Sequence, residues 1–336
     1  MSLTSCRHHQ RGTAPATPAP AASSRRSLLG GLGAATLLGA CGQQTGATST
    51  AGAPPAPALA TPPAVPVMAT FSILADIVRE VAGDAAAIST LVGADTDAHH
   101  FEPSPTQMAA IGRARLLVRN GLGFEGWMDR LVEAGSFSGR VLTATDGVEP
   151  IEARPGRPDP HAWQSHAAVS AMAATVARGL TTEIPAAASL IAGRLADFQA
   201  RAADGQARAR AALAPVPPEQ RVVIVPHASF GYMGRELGIR FIPLGSLAPD
   251  RQPGAGRLAR LVRGVRSSGA AALFTDNVSG DSLLDQVARE TGVPVAGRLY
   301  SDALSGPDGP ASGILALLAH NSQAIAAALV AARNGG

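Results

Sequence analysis

Four segments of the chain each end an apolar run with a residue able to bind a metal. The adjacent pair His99 and His100, of which one would be the donor, lies in "DTDAHHFEP", after the run Ile88–Val92. His161 lies in "RPDPHAW", in the loop region after Val141–Thr143, and His227 follows "VVIVP" almost at once. Asp302 follows "VPVAGRLY". In open α/β sheets, ligands bind beyond the carboxyl ends of strands. Three neutral imidazoles and one carboxylate suit tetrahedral Zn2+, which takes nitrogen and oxygen ligands at ~2.0–2.2 Å. A lone histidine in such a loop is more often structural or exposed; four donors placed alike, two in each half, point to a shared site. Consecutive residues do not readily point at one ion, so one of His99 and His100 is exposed or supports the other. His166 and His320 fall in helical patterns without a matching donor and read as surface residues.

The elements that must position these donors alternate along the chain. Short apolar runs predict strands at Val67–Ala69, Ile88–Val92, Leu116–Val118 and Val141–Thr143, then at Val222–Val225, Phe241–Leu244, Ala271–Phe274 and Val293–Leu299. Amphipathic patterns such as "ILADIVREVAG" and "SLLDQVARETG" lie between them, the second closed by Gly292. Strands alternating with helices argue for parallel sheets. Between the two sets, Leu190, Ile191, Leu195, Phe198 and Ala202 recur at helical spacing in a run from about Ala186 to Leu213, ended by Pro215, Pro217 and Pro218. As one helix this run would be ~40 Å long, although Gly205 weakens it. The expected fold class is α/β: two lobes, each a roughly four-stranded parallel sheet flanked by helices, joined by one long spine helix. The lobes would cover residues 67–185 and 215–336, with the linking helix at 186–214.

Composition sets the remaining bounds. Of the 336 residues 46% are hydrophobic and 16% charged, which is globular rather than disordered. Residues 1–40 hold four arginines and no acid, so the rest of the chain carries 24 basic against 25 acidic residues and shows no basic run for nucleic acid. That first segment, which includes His8 and His9, has the layout of an export signal: "SSRR", then an apolar stretch Leu28–Ala40 too short to span a bilayer, then a small-residue site. Its Arg25-Arg26 pair resembles a twin-arginine signal, the alternative being an ordinary Sec signal. Leu38-Gly39-Ala40-Cys41 resembles a lipobox, with Cys41 as the lipidated first residue; the alternative is a conventional cleavage site beside a coincidental cysteine. Residues 41–66, rich in Pro, Ala, Thr and Gly, read as a tether.

The donor segments carry a resemblance. "DAHHFEPSP" is similar to the D-P-H-x-Y-E-P segment of the ZnuA/TroA-like solute-binding proteins that serve zinc and manganese ABC importers. "DPHAW" resembles their D-P-H-x-W, "PHASFGYMGRELG" their H-x-A-F-x-Y, "RLYSDALSGPDGP" their final aspartate segment, and "NGLGFEGWMDRLVEA" another stretch of theirs. The likeness runs from about Val67 to Ala332. It implies His99, rather than His100, as first ligand, then His161, His227 and Asp302. Ala98 replaces the usual proline. The acidic, histidine-rich loop of some zinc members is missing near Glu149–Arg157, as is the cysteine pair that some carry.

The implied protein is an exported, lipid-anchored, monomeric capturer of a divalent metal, serving a membrane ABC permease. The metal expected is Zn2+, with Mn2+ (or iron) the alternative; in the family the third ligand tends to be glutamate in manganese members and histidine in zinc members, and here it is His227. A zinc hydrolase is the rival from another class. A catalytic zinc keeps an open position, whereas here a fourth donor fills it, and no H-E-x-x-H or G-x-S-x-G stretch is present. Glu102, which could serve as a base, reads instead as a turn residue beside Pro103. An adhesin role is compatible with the same fold.

Overall fold

The computed structural model describes residues 64–128, 137–248, 255–280 and 282–335. The export signal, Cys41 and nearly all of the tether lie outside the described residues.

The first sheet holds β1 (Val65–Phe71), β2 (Ala86–Val92), β3 (Leu116–Arg119) and β4 (Arg140–Thr143), ordered β2-β1-β3-β4 and parallel throughout. After a two-stranded antiparallel pair, β5 (Glu152–Arg154) and β6 (Arg157–Pro158), comes the second sheet. It is built from β7 (Val222–Val225), β8 (Arg240–Pro243), β9 (Ala272–Asp276) and β10 (Val295–Leu299), ordered β10-β9-β7-β8 and again parallel. In β1 every residue from Val67 to Phe71 is buried, as a parallel strand covered on both faces requires. The pleat sorts the second sheet by face: Val223, Val225, Ala272 and Phe274 join the large central core, while Ile224 and Leu273 point the other way. There they meet Leu261 and Val265 of α6 (Ala255–Ser268) and Leu284 and Val287 of α7 (Ser282–Thr291).

Helices α1 (Ser72–Ala82), α3 (His166–Glu183) and α4 (Ala188–Leu213) cover the first sheet and the middle of the molecule; α2 (Pro105–Ile111) and α5 (Gly231–Leu237) are short. The spine, α4, runs unbroken for 26 residues. Gly205 sits within it because a side chain there would press against the His166 ring, whose atoms lie 3.0 Å from where its Cβ would be. The closing helix α8 (Ile314–Gly335) is long and apolar enough to cross a membrane by length and composition alone. Here its Ile314, Leu317, Leu318, Ile325 and Leu329 are buried in the central core, against α4 and β10.

The structure corrects the surface reading of His166, which is 2% exposed. As first residue of α3 its N–H has no partner within the helix. Glu236, from α5, reaches across to supply one: its carboxylate accepts from the backbone N–H of His166 (3.1 Å) and Ala167 (3.0 Å), and from His166 Nδ1 (3.0 Å). Ser165 Oγ (2.9 Å) and Gln206 Nε2 of the spine (2.7 Å) also donate to it. Burial opposes the charge on Glu236, but these donors prevail and hold its pKa down to about 2. His320, half-buried, bonds the Arg298 carbonyl through Nε2 at 2.9 Å.

Candidate metal centre

All four donor residues lie beyond carboxyl ends of strands, and the fold brings them together. One donor atom from each of His99, His161, His227 and Asp302 lies within 4.8 Å of every other. The shorter separations are His227 Nε2 to Asp302 Oδ2 (3.0 Å), His99 Nε2 to His161 Nε2 (3.1 Å), His99 Nε2 to Asp302 Oδ2 (3.5 Å) and His161 Nε2 to Asp302 Oδ1 (3.7 Å). Tetrahedral ligands ~2.1 Å from an ion stand ~3.4 Å apart, so the set is close to the size of a zinc sphere. Asp302 Oδ1 is buried and has no hydrogen-bond partner, a costly state for a carboxylate oxygen that a cation would relieve.

Each loop has its own means of aiming its donor. His161 gives both its backbone N–H (2.9 Å) and Nδ1–H (2.6 Å) to Asp159 Oδ1, two residues earlier, which leaves Nε2 free as acceptor. Asp159 has room because residue 231 is glycine; a side chain there would collide with the other carboxylate oxygen. His227 gives Nδ1–H to Asp276 Oδ2 at 2.8 Å, and Asp276 is braced by the N–H groups of Val278 (3.1 Å) and Ser279 (2.6 Å). The His99 loop makes the same aspartate turn at Asp97, which accepts the His99 N–H at 2.8 Å. Here the second oxygen takes Nδ1–H of His100 instead, also at 2.8 Å. His100 is thereby turned outward and exposed, and His99 alone faces the other donors, its ring 4.3 Å from that of Phe124.

The donor segments also grip each other. Trp163 Nε1 and Gln164 Nε2, just after His161, both donate to the Ser301 carbonyl at 2.7 Å, beside Asp302. His161 and Asp302 are buried, whereas the side chains of His99 and His227 are 28% and 32% exposed, so solvent reaches the cluster on their side. Sequence reasoning did not single out Asp159 or Asp276. The first had a signal, an acid two residues before a candidate histidine. Asp276 had only its place at the end of a strand.

Charge in the cluster is unevenly held. Burial lowers the pKa of His99, with the nearby His161 adding to the effect against the pull of Asp302. At His227 burial acts in the same direction but is outweighed by Asp276 and Asp302, which push it up to about 10. A pKa of about 10 leaves His227 protonated at neutral pH, and a metal bound at Nε2 would displace that proton. Uptake at pH 7 is expected to release about one proton from this residue, and affinity to rise with pH toward 10. Calorimetry of metal binding in two buffers of different ionisation enthalpy measures that proton; none released would mean that His227 is neutral. The stability of the metal-free protein runs the other way. A pKa raised from 6.5 contributes fully below 6.5, and its contribution is lost as pH rises through about 10.

The family model described as "Zinc-uptake complex component A periplasmic" matches residues 67–328. The chain is 26% identical over 257 residues to the iron-binding protein YfeA of Yersinia pestis, a match covering 75% of this chain and 82% of that one. It is 25% identical over 256 residues to the manganese-binding lipoprotein MntA of Halalkalibacterium halodurans, covering 76% and 85%. Among solved structures, the cadmium-bound periplasmic metal-binding protein of Candidatus Liberibacter asiaticus is similar, with a TM-score of 0.71 and 27% identity, over 79% of this chain and 99% of that one. The periplasmic zinc-binding protein TroA of Treponema pallidum shares the fold, at a TM-score of 0.73 and 22% identity over 79% and 99%.

Proposed function

Because the chain belongs to the family of periplasmic zinc-uptake components, we propose that it captures Zn2+ outside the cytoplasm for an ABC permease, with His99, His161, His227 and Asp302 as its four ligands. This is a metal-binding, substrate-binding protein of the ABC transporter class, which works with a membrane permease and is not an enzyme. The observation that carries zinc capture at this site is the donor cluster itself, closed around the orphaned Asp302 Oδ1. All four donors come from one chain, which fits a monomer.

The relatives are named for iron and manganese as well as zinc, so donor chemistry must choose. Imidazole suits Zn2+, while Mn2+ favours oxygen-rich sites and lies at the weak end of the divalent series. Protein purified without chelators is expected to carry zinc by mass spectrometry, and Zn2+ to outcompete Mn2+ in titration. His227→Glu is expected to narrow the gap. Manganese binding equal to or tighter than zinc by the unaltered protein would make manganese the cargo and leave the transport role standing.

Cys41 is proposed as the lipid-bearing residue, supported by "LGAC" and by relatives named as lipoproteins. Cys41→Ser should shift the protein from the membrane to the soluble fraction without changing metal affinity. An unlipidated amino terminus elsewhere in the mature protein would remove the anchor.

A further inference from the structure

We propose that Asn277, acting with Asp95, is a positioning residue that fixes the spacing of the donor set and slows loss of the bound ion. The proposal rests on the metal-binding reading of the four donors and goes beyond it to the groups that hold them in register.

Asn277 stands where three donor-bearing segments meet. It follows Asp276, the carboxylate that aims His227. Its side chain holds the backbone on both sides of Asp302: Oδ1 accepts from the Ser301 N–H (3.1 Å), and Nδ2 donates to the Ala303 carbonyl (3.1 Å). Those two partners, one a donor and one an acceptor, fix which way the amide points. The same Nδ2 donates to Asp95 Oδ1 at 3.1 Å, and Asp95 lies four residues before His99 on the His99 loop.

Asp95 has the marks of a residue kept for its side chain. Its φ is +50°, a region that suits glycine and is uncommon for other residues. In that conformation its carboxylate accepts from Asn277 Nδ2 and from the Gly306 N–H (3.2 Å), while its own N–H donates to the Leu304 carbonyl (2.9 Å). The His99 loop is thus tied to the Asp302 loop by bonds separate from those of Trp163 and Gln164. His161 and Asp302 are joined by those buried bonds whatever happens at Asn277. His99, more exposed and with no carboxylate on its ring Nδ1 among the described residues, depends on its loop for its place. Loss of the clasp would leave His99 and Asp302 free to drift apart, and a ligand displaced by a fraction of an ångström binds less well.

The test uses Co2+ as a visible probe of ligand geometry and Zn2+ as the ion whose escape to excess chelator is timed. Asn277→Ala removes all three bonds. Asp95→Gly removes two and relieves the positive φ, so folding is not at risk. Outer supporting groups at metal sites are worth roughly 10–100-fold in affinity, and an effect of that size, read chiefly as faster release, is expected for Asn277→Ala and a smaller one for Asp95→Gly. The Co2+ spectrum should change in Asn277→Ala, and metal-free Asp95→Gly should melt no lower than the parent. Combining the two should cost less than the product of the single effects, because both cut one connection. Release rates and spectra indistinguishable from the parent in both variants would overturn the proposal, even if melting temperatures fell, since the residues would then be structural only. A parent protein that binds neither Co2+ nor Zn2+ would overturn the metal-binding reading itself and this proposal with it.

Discussion

Asp302→Ala is expected to weaken metal binding by more than ~100-fold, the upper end of what removal of an outer supporting group costs. Asp302 is the one anionic donor of the four, and it faces all three imidazoles, at 3.0, 3.5 and 3.7 Å. In the proposed site its loss removes a ligand and the charge that would offset desolvation of a divalent ion. It also removes one of the two carboxylates that keep His227 protonated, so the proton released on metal uptake should shrink. Asp302→Asn keeps the shape and one oxygen without the charge, and should fall between the two. Chelator competition measures the affinity, and circular dichroism checks that the fold is retained. Tight binding by Asp302→Ala would take this residue out of the site.

The second large effect is expected in stability. Glu236→Ala should destabilise the protein by about 3–5 kcal/mol, the usual cost of removing one partner from a buried, charged hydrogen-bonding group. The carboxylate is buried, as is the His166 ring. Its removal strands that ring, the first two N–H groups of α3 and the amide of Gln206 together. The pH dependence follows from the same contacts. A carboxylate whose pKa falls from 4.5 to about 2 on folding contributes stability that is present above 4.5 and lost as pH falls through about 2. Denaturant unfolding at neutral pH should therefore separate parent and variant widely, and at pH 2 hardly at all. Metal affinity should change far less than in Asp302→Ala. Equal stability at neutral pH would mean that this bridge contributes nothing.

The parallel strands were legible because a strand buried on both faces must be apolar along its length, and all eight expected runs overlap strands of the two sheets. The spine was legible from periodicity, although Gly205 weakened it; the reason for Gly205 is the His166 ring, a contact between segments far apart in the chain. His166 was misread for the same cause. A helix-starting histidine looks solvent-exposed until Glu236, seventy residues on, is seen to cover it. Of the candidate site, the four donors were legible from their placement after strands, and their convergence is a matter of geometry that the structure supplies. Choosing His99 over His100 needed either a resemblance or the Asp97 contacts that turn the two rings apart. Asp276 and Asn277 reach the donor segments through partners distant in sequence, and only the place of Asp276 at the end of a strand marks either.

The burial of α8 bears on how the chain is made. Its first residue, Ile314, gives its N–H to Asp76 of α1 at 2.7 Å, and its apolar side chains belong to the same core as Ile73, Leu74 and Ile77. The last of the described helices therefore completes packing begun by the first of them. Contacts so distant in sequence are slow to form, because a long loop must close before they contribute anything. A nascent chain that has emerged only as far as β10 has both sheets in hand but leaves the apolar face of α1 and the spine partly uncovered, a surface that invites chaperones or aggregation. Packing around α1 thus waits on α8, and the order of the chain is not the order of its assembly.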